Sequence, residues 1–264
     1  MSRASGHGPE AGCEPGISRQ PERKVEGWVQ GRGEFLLLSL EAARAPLPEQ
    51  APETHAGESS LDFQTDDPPL ILASASSARR AVLDAAGLRF EAIAAAVDEA
   101  SIKESARAEG FPPEDTALML AEAKARRVAA RRPEALVIGC DQMLVLEDRW
   151  FDKPESVEAA RGHLEALRGK EHRLVTAVLC WRGGQRIWQH VAQPRLAMRA
   201  VSDTFIDAYL AAEGGRVTES VGAYRLEGPG VQLFDRVEGE HAAVLGLPLL
   251  PLLGFLRQHG VLLR

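Results

Sequence analysis

Pro69-Leu70-Ile71-Leu72-Ala73-Ser74-Ala75-Ser76-Ser77-Ala78-Arg79-Arg80 sets the pattern that the rest of the chain follows. Leu70-Ile71-Leu72 is a short apolar run of the kind that makes a buried strand. Small hydroxyl residues come next, and Ser76 or Ser77 suits the cap of a helix running through Ala86 and closing at Gly87. The unit therefore reads as strand, turn, helix. Free N–H groups at a helix start and nearby hydroxyls make a natural cradle for phosphate, and Arg79 offers a two-pronged contact to its oxygens. Taken alone the signal is weak, because serine caps followed by surface arginines are common.

The same alternation extends outward. Arg89–Ala94 reads as a strand, and Glu114–Arg131, without internal Gly or Pro, as a long helix. Leu136-Val137-Ile138 is another short strand, ending at Asp141. Glu155–Leu167 carries Val157, Ala160, Leu164 and Leu167 on one face, and Gly169 closes it. His172–Trp181 and Arg186–Ala200 flank Gly183-Gly184 as a hairpin. Ser202 caps a helix to about Ala212, stopped by Gly214-Gly215, and a final helix covers Pro248 to His259. The fold class is α/β, in the mixed α+β sense.

Residues 1–68 differ in kind from residues 69–264. The first 69 positions hold eight of the sixteen prolines, with much Gly, Glu and Ser between them. Such a composition buries too little apolar surface to offset the entropy of ordering, so a mostly disordered extension is expected, with at most a short local element at Trp28–Leu40. Residues 69–264 are expected to form one domain.

Bulk properties narrow the function classes. The formal charge of −7 argues against a general nucleic-acid binder, while a few cations in one cleft still suit a small anion. Three widely spaced cysteines, Cys13, Cys140 and Cys180, make neither a disulfide framework nor a zinc motif. The absence of a long apolar run and of a signal-like start leads to the expectation of a cytoplasmic protein with no membrane partner.

Three further stretches carry chemistry. Asp98-Glu99 is either a pair of metal ligands or a solvated turn. Lys124, among alanines, is either solvated or placed in a cleft. Asp141 stands at a strand end, where open α/β sheets place their ligand crevices, and Lys153-Pro154 follows twelve residues later. Carboxylates suit a hard cation and cationic side chains suit polyphosphate, so Glu99, Asp141, Arg79, Lys124 and Lys153 supply what triphosphate hydrolysis needs. Spacing does not say that they converge.

In that order the residues resemble the Maf nucleotide pyrophosphatases. The likeness runs from Leu70 to the C-terminus through Leu72-Ala73-Ser74-Ala75-Ser76, Arg79-Arg80, Asp98-Glu99, Leu120-Ala121 with Lys124-Ala125, Gly139 with Asp141, and Lys153-Pro154. It continues through Leu167, Gly169, His172, Thr176, Val221-Gly222-Ala223-Tyr224, Glu227-Gly228 and Gly246-Leu247-Pro248-Leu249. Each piece is modest, but so many in one order are specific. The resemblance implies an elongated α/β fold of the Maf and ITPase kind, with a central mixed sheet and a cleft between two lobes. It implies cleavage of a nucleoside triphosphate to monophosphate and pyrophosphate with Mg²⁺ or Mn²⁺, and a homodimer.

By motif position, Asp141 would be the catalytic base or metal-bound acid, and Glu99 would help to hold the metal. Ser74, Arg79, Lys124 and Lys153 would bind phosphate. Ala78, Gln142 and Glu227 fall where the family sorts its substrates. Gln142 and Glu227 resemble the branch acting on 7-methyl-GTP rather than on dTTP and UTP, while Ala78 is smaller than expected and widens the pocket. Family members are linked to removal of non-standard nucleotides and to arrest of cell division. An ITP-type purine pyrophosphatase and a non-enzymatic nucleotide-binding regulator of septum formation are the competing readings.

Overall fold

The computed structural model describes residues 63–264. The element expected at Trp28–Leu40 and most of the extension expected over 1–68 lie outside the described residues. Within the rest of that stretch, Gln64 is buried, bridges to Leu262, and exchanges hydrogen bonds with the backbone of Arg89. The packed chain thus begins before Pro69.

Among the described residues, eight strands form one mixed sheet: β1 (Leu70–Ala73), β2 (Glu91–Ala92), β3 (Leu136–Leu146), β4 (Arg149–Phe151), β5 (Glu171–Arg182), β6 (Gln185–Ala192), β7 (Arg195–Met198) and β8 (Phe234–Glu238). The main order is β2-β1-β3-β5-β7-β8, with β4 on β3 and β6 on β5. The β1 pairings to β2 and β3 are parallel and the others antiparallel. Seven α-helices of the described residues pack on the sheet or flank it: α1 (Ser77–Ala85), α2 (Glu99–Ala108), α3 (Pro113–Ala129), α4 (Val157–Leu167), α5 (Asp203–Glu213), α6 (His241–Val244) and α7 (Leu249–Gln258).

Four departures from the sequence reading have physical causes. The strand expected at Arg89–Ala94 shrinks to two paired residues, because its one partner, β1, ends at Ala73. The strand expected to end at Asp141 continues to Leu146, because β5 supports it from Val137 to Val145. Expected strand Arg186–Ala200 divides around Pro194, which has no N–H to give a ladder; β6 pairs with the far half of β5 and β7 with its start. Helix α2 was not foreseen, although Glu99–Ala108 is rich in helix formers and Asp98 caps it by accepting from the Ser101 N–H at 3.0 Å.

Alternation along β3 distributes the core. Val137, Met143 and Val145 face Leu120, Ala121, Ala125 and Val128 of α3. Leu136, Ile138 and Cys140 face the opposite way, toward Val82 and Leu83 of α1 and Leu252, Phe255 and Leu256 of α7. Further along, Leu144 and Leu146 enter a second lobe built from Leu164 and Leu167 of α4, Ile206, Tyr209 and Leu210 of α5, Leu196 and Tyr224.

Gly139 fixes how closely α3 lies on the sheet. A Cβ there would meet the Ala121 carbonyl oxygen at 2.3 Å and the Ala125 Cβ at 2.9 Å, so no side chain fits. In the second lobe, His172 is buried with Nε2 2.8 Å from the Tyr224 Oη, and burial lowers its pKa from 6.5 to about 4.

Two outcomes follow. Gly139→Ala is expected to destabilise the fold by about 1–3 kcal/mol, the usual cost of overpacking, and denaturant unfolding measures it. As pH falls below 6.5 the unfolded chain takes a proton on His172 while the native state stays neutral to about 4. Stability is therefore lost on acidification, by roughly 2 kcal/mol between pH 7 and pH 5 from this residue. His172→Gln lacks that component, so parallel unfolding curves of the two proteins at both pH values should show it as a difference.

Candidate active site

The sheet leaves an opening beside β3. On the β1 side, residues 136–139 pair with β1 and residues 144–146 pair with β4. Residues 140–143 between them pair with no strand of the described residues on that edge, while β5 backs them on the other. A cavity of about 1100 Å³ lies here, lined among others by Ala78, Arg79, Glu99, Lys103, Lys124, Asp141, Gln142, Lys153, Arg225 and Glu227.

At its floor is an ion triad. Asp141 follows Gly139 by two residues and so points to the same face of β3, toward α3, where Lys124 stands one turn from Ala121. The Lys124 Nζ lies 2.6 Å from Asp141 Oδ1 and 2.8 Å from Glu99 Oε1. Lys124 is 8% exposed and Asp141 4%. Burial raises the pKa of the Asp141 carboxyl above the ordinary aspartate range, against the opposing charges of Lys124 and Arg79. Burial pulls Lys124 downward, but Asp141 and Glu99 outweigh it and hold the ammonium above the usual lysine range. Burial pushes Glu99 up, and the charge and hydrogen bond of Lys124, with Lys103 and Lys153 beside it, bring it below its usual value.

Arg79 occupies the uncovered edge of β3. Its Nε donates to the Gly246 carbonyl at 2.8 Å, and Nη1 donates to Ser74 Oγ at 3.2 Å and to the Cys140 carbonyl at 3.4 Å. Gly246, at φ +99°, leaves room for the guanidinium, since a Cβ would stand 3.0 Å from Nε. Ser74 is buried behind this arginine and also accepts from the Ser76 N–H at 3.2 Å. Partial burial and the like charge of Arg79 hold Lys153 below the ordinary lysine range.

The three positions that the resemblance ties to substrate choice also line the cavity. Gln142, pointing to the opposite face of β3 from Asp141, donates through Nε2 to Thr176 Oγ1 at 2.8 Å and to the carbonyls of Ala243 and Val244 at 3.0 and 3.1 Å. Thr176 in turn donates to the Ala243 carbonyl at 3.0 Å. Ala78 is in the first turn of α1 and Glu227 on the loop after Tyr224. The adjacent acids at 98 and 99 divide their tasks: Asp98 caps α2 and Glu99 turns to Lys124.

Sequence reading missed several lining residues. Lys103 follows Glu99 by one helical turn and Arg107 by two, a spacing that marks one face of α2 once that helix is recognised. Lys103 Nζ is 2.5 Å from Asp152 Oδ1, and Arg107 sits over the Trp150 ring at 4.6 Å. Cys140 and Cys180 are free, buried thiols, and burial raises both above the ordinary thiol range, Cys140 to about 11, which disfavours the thiolate.

The donors available suit a hard divalent cation. Asp141 Oδ2 is buried and has no hydrogen-bond partner among the described residues, which leaves its lone pairs for another ligand. No group of three or more His, Cys, Asp or Glu side chains with metal-binding geometry occurs among the described residues. One or two carboxylates with phosphate oxygens is the pattern of Mg²⁺ rather than of a metal held entirely by protein. No helix among the described residues is long and apolar enough to cross a membrane.

The sequence also matches known proteins. The sequence profile of the family described as "Maf-like protein" matches residues 69–259. A "nucleoside triphosphate pyrophosphatase" of Granulibacter bethesdensis is 56% identical over 193 residues, 73% of this chain and 98% of the relative. One of the same name from Rhodospirillum rubrum is 51% identical over 196 residues, 74% and 97% of the two chains. A "7-methyl-GTP pyrophosphatase" of Rhizobium meliloti is 49% identical over 195 residues, 74% of this chain and 98% of that one. The chain belongs to the Maf-like protein family.

Proposed function

We propose that this chain hydrolyses nucleoside triphosphates to the nucleoside monophosphate and pyrophosphate, and that its pocket favours guanine nucleotides of the 7-methyl-GTP type. The observation that carries the reading is the buried Asp141 carboxylate, bound through one oxygen to Lys124 and free through the other at the floor of a cation-lined cavity. Relatives named for the two activities are 56% identical over 193 residues and 49% identical over 195 residues.

In this reading Asp141 accepts the proton of a water as the water oxygen bonds to the α-phosphorus. The bond from that phosphorus to the oxygen bridging the α- and β-phosphates breaks, and pyrophosphate leaves with the electron pair. A carboxylate that burial makes more basic than a surface aspartate is the better acceptor. Lys124 keeps Asp141 oriented and offsets charge on the phosphates, with Arg79 and Lys153 in the same role. Ser74 keeps Arg79 in place. Asp141 and Glu99 would hold a divalent cation, Mg²⁺ or Mn²⁺, which when bound neutralises phosphate charge and polarises the phosphoryl oxygens.

Base preference falls to Glu227 and Ala78, which line the same cavity. The Glu227 carboxylate accepts from the N1–H and exocyclic amine of guanine. N7 methylation puts positive charge on the ring and strengthens both donors, so the same carboxylate binds it better. Ala78 leaves space beside the base. Inosine lacks the amine, which disfavours an ITP-type preference.

Asp141→Asn is expected to fold, because the amide keeps the shape, and to lose activity by a factor on the order of 10²–10⁴, the usual worth of a positioned base. A nucleotide panel with Mg²⁺, scored for monophosphate and pyrophosphate, checks this. Release of orthophosphate, or turnover by the variant matching the parent, rejects the reading. Nucleotide binding without any turnover by the parent protein points instead to the regulator.

A further inference from the structure

Glu213 is the least expected charge in the molecule. It ends α5, and its side chain is 1% exposed. The C-terminal end of a helix carries partial negative charge, so a buried carboxylate there is opposed both by desolvation and by the helix dipole. A buried ion pair contributes little to stability compared with apolar packing, so stability alone does not account for it. Two guanidinium groups compensate it: Arg225 Nη1 reaches Oε2 at 3.3 Å and Arg216 Nη2 reaches Oε1 at 3.4 Å.

Arg225 does more than neutralise Glu213. Its Nε lies 3.3 Å from Glu227 Oε1, so one planar guanidinium spans the buried carboxylate on α5 and the exposed carboxylate on the cavity wall. The loop between these partners is fastened at further points. One turn before Glu213 on the same face of α5, Tyr209 Oη donates to the Ala223 carbonyl at 3.2 Å, and Ser220 Oγ donates to the Tyr224 carbonyl at 2.7 Å. Ala223 sits at φ +60°, which a residue with a Cβ adopts only where its surroundings hold it. The loop is thus built to a fixed shape, and Arg225 is the link between that shape and the Glu227 carboxylate.

We propose that Arg225, anchored on Glu213, is a positioning residue that aims Glu227 at the base and so sets the preference for guanine. The inference rests on the base-reading role given to Glu227 above. Arg225 uses Nε for Glu227, leaving that carboxylate's remaining acceptor sites to the N–H groups of the purine. Lysine has no second prong and cannot bridge both carboxylates in the same way.

The test compares KM and kcat for GTP and for ATP, which lacks those donors, in Glu227→Gln, Arg225→Gln, Arg225→Lys and Glu213→Gln, with thermal midpoints recorded for each. Arg225→Gln and Glu213→Gln are expected to raise KM for GTP about tenfold, as loss of one charge-assisted hydrogen bond would, with KM for ATP and both kcat values within about twofold. Arg225→Lys should fall between these and the parent. Loss of the buried ion pair lowers the midpoint in either case; a purely structural role would move KM for both substrates together, which overturns the proposal. If Glu227→Gln narrows the GTP to ATP ratio while the Arg225 and Glu213 variants leave it unchanged, the positioning role fails and the role of Glu227 stands. If Glu227→Gln also leaves the ratio unchanged, both fail.

Discussion

The Lys124 ammonium between Asp141 and Glu99 ties together three elements that lie apart in sequence: α3, β3 and α2. It is also what makes a buried aspartate tolerable. Removal of one partner from such a group leaves an uncompensated charge inside the protein, at a cost of about 3–5 kcal/mol. The geometry depends in turn on Gly139, since α3 reaches Asp141 only because the residue two places earlier has no side chain. Close packing and chemistry are therefore one arrangement here: the helix is drawn onto the sheet, and the contact point carries the charges.

The cavity has a similarly simple origin. Strand β1 ends at Ala73 and β4 joins β3 only at Leu144, so a short piece of β3 lacks a neighbour on one side. An unpaired strand edge ordinarily needs covering. Here Arg79 covers part of it, with its guanidinium shared between the Cys140 and Gly246 carbonyls and Ser74. The parallel part of the sheet ends at this point, in agreement with the rule that open α/β sheets bind ligands beyond the carboxyl ends of their strands.

How much of this was legible follows from how local each feature is. The strand at Leu70 and the helix capped by Ser76 depend on neighbours in sequence, and they lie where the pattern puts them. The length of β3 depends on β5, some thirty-five residues away, and the break at Pro194 follows from one missing donor. Helix α2 is readable from its composition and from the Asp98 cap, but adjacent acids after a strand suit a solvated turn equally well. Convergence of Glu99, Lys124, Asp141 and Lys153 on one cavity was beyond any spacing argument, because it is made by the crossing of α2, α3 and the sheet. The resemblance named those positions, and the fold brings them together. The link from Glu213 through Arg225 had no sequence signal, since a buried glutamate at a helix end looks like any surface acid.

Alternation along β3 has a consequence for how such a protein can change. Asp141 and Gln142 are adjacent, yet the pleat sends one toward α3 and the other toward the Thr176 and Ala243 side. Neighbours in the gene are thereby assigned to separate walls. Substitutions on the Thr176 and Ala243 side need not disturb the charges around Asp141, so one wall of the cavity can be redrawn in a lineage that inherits the other intact.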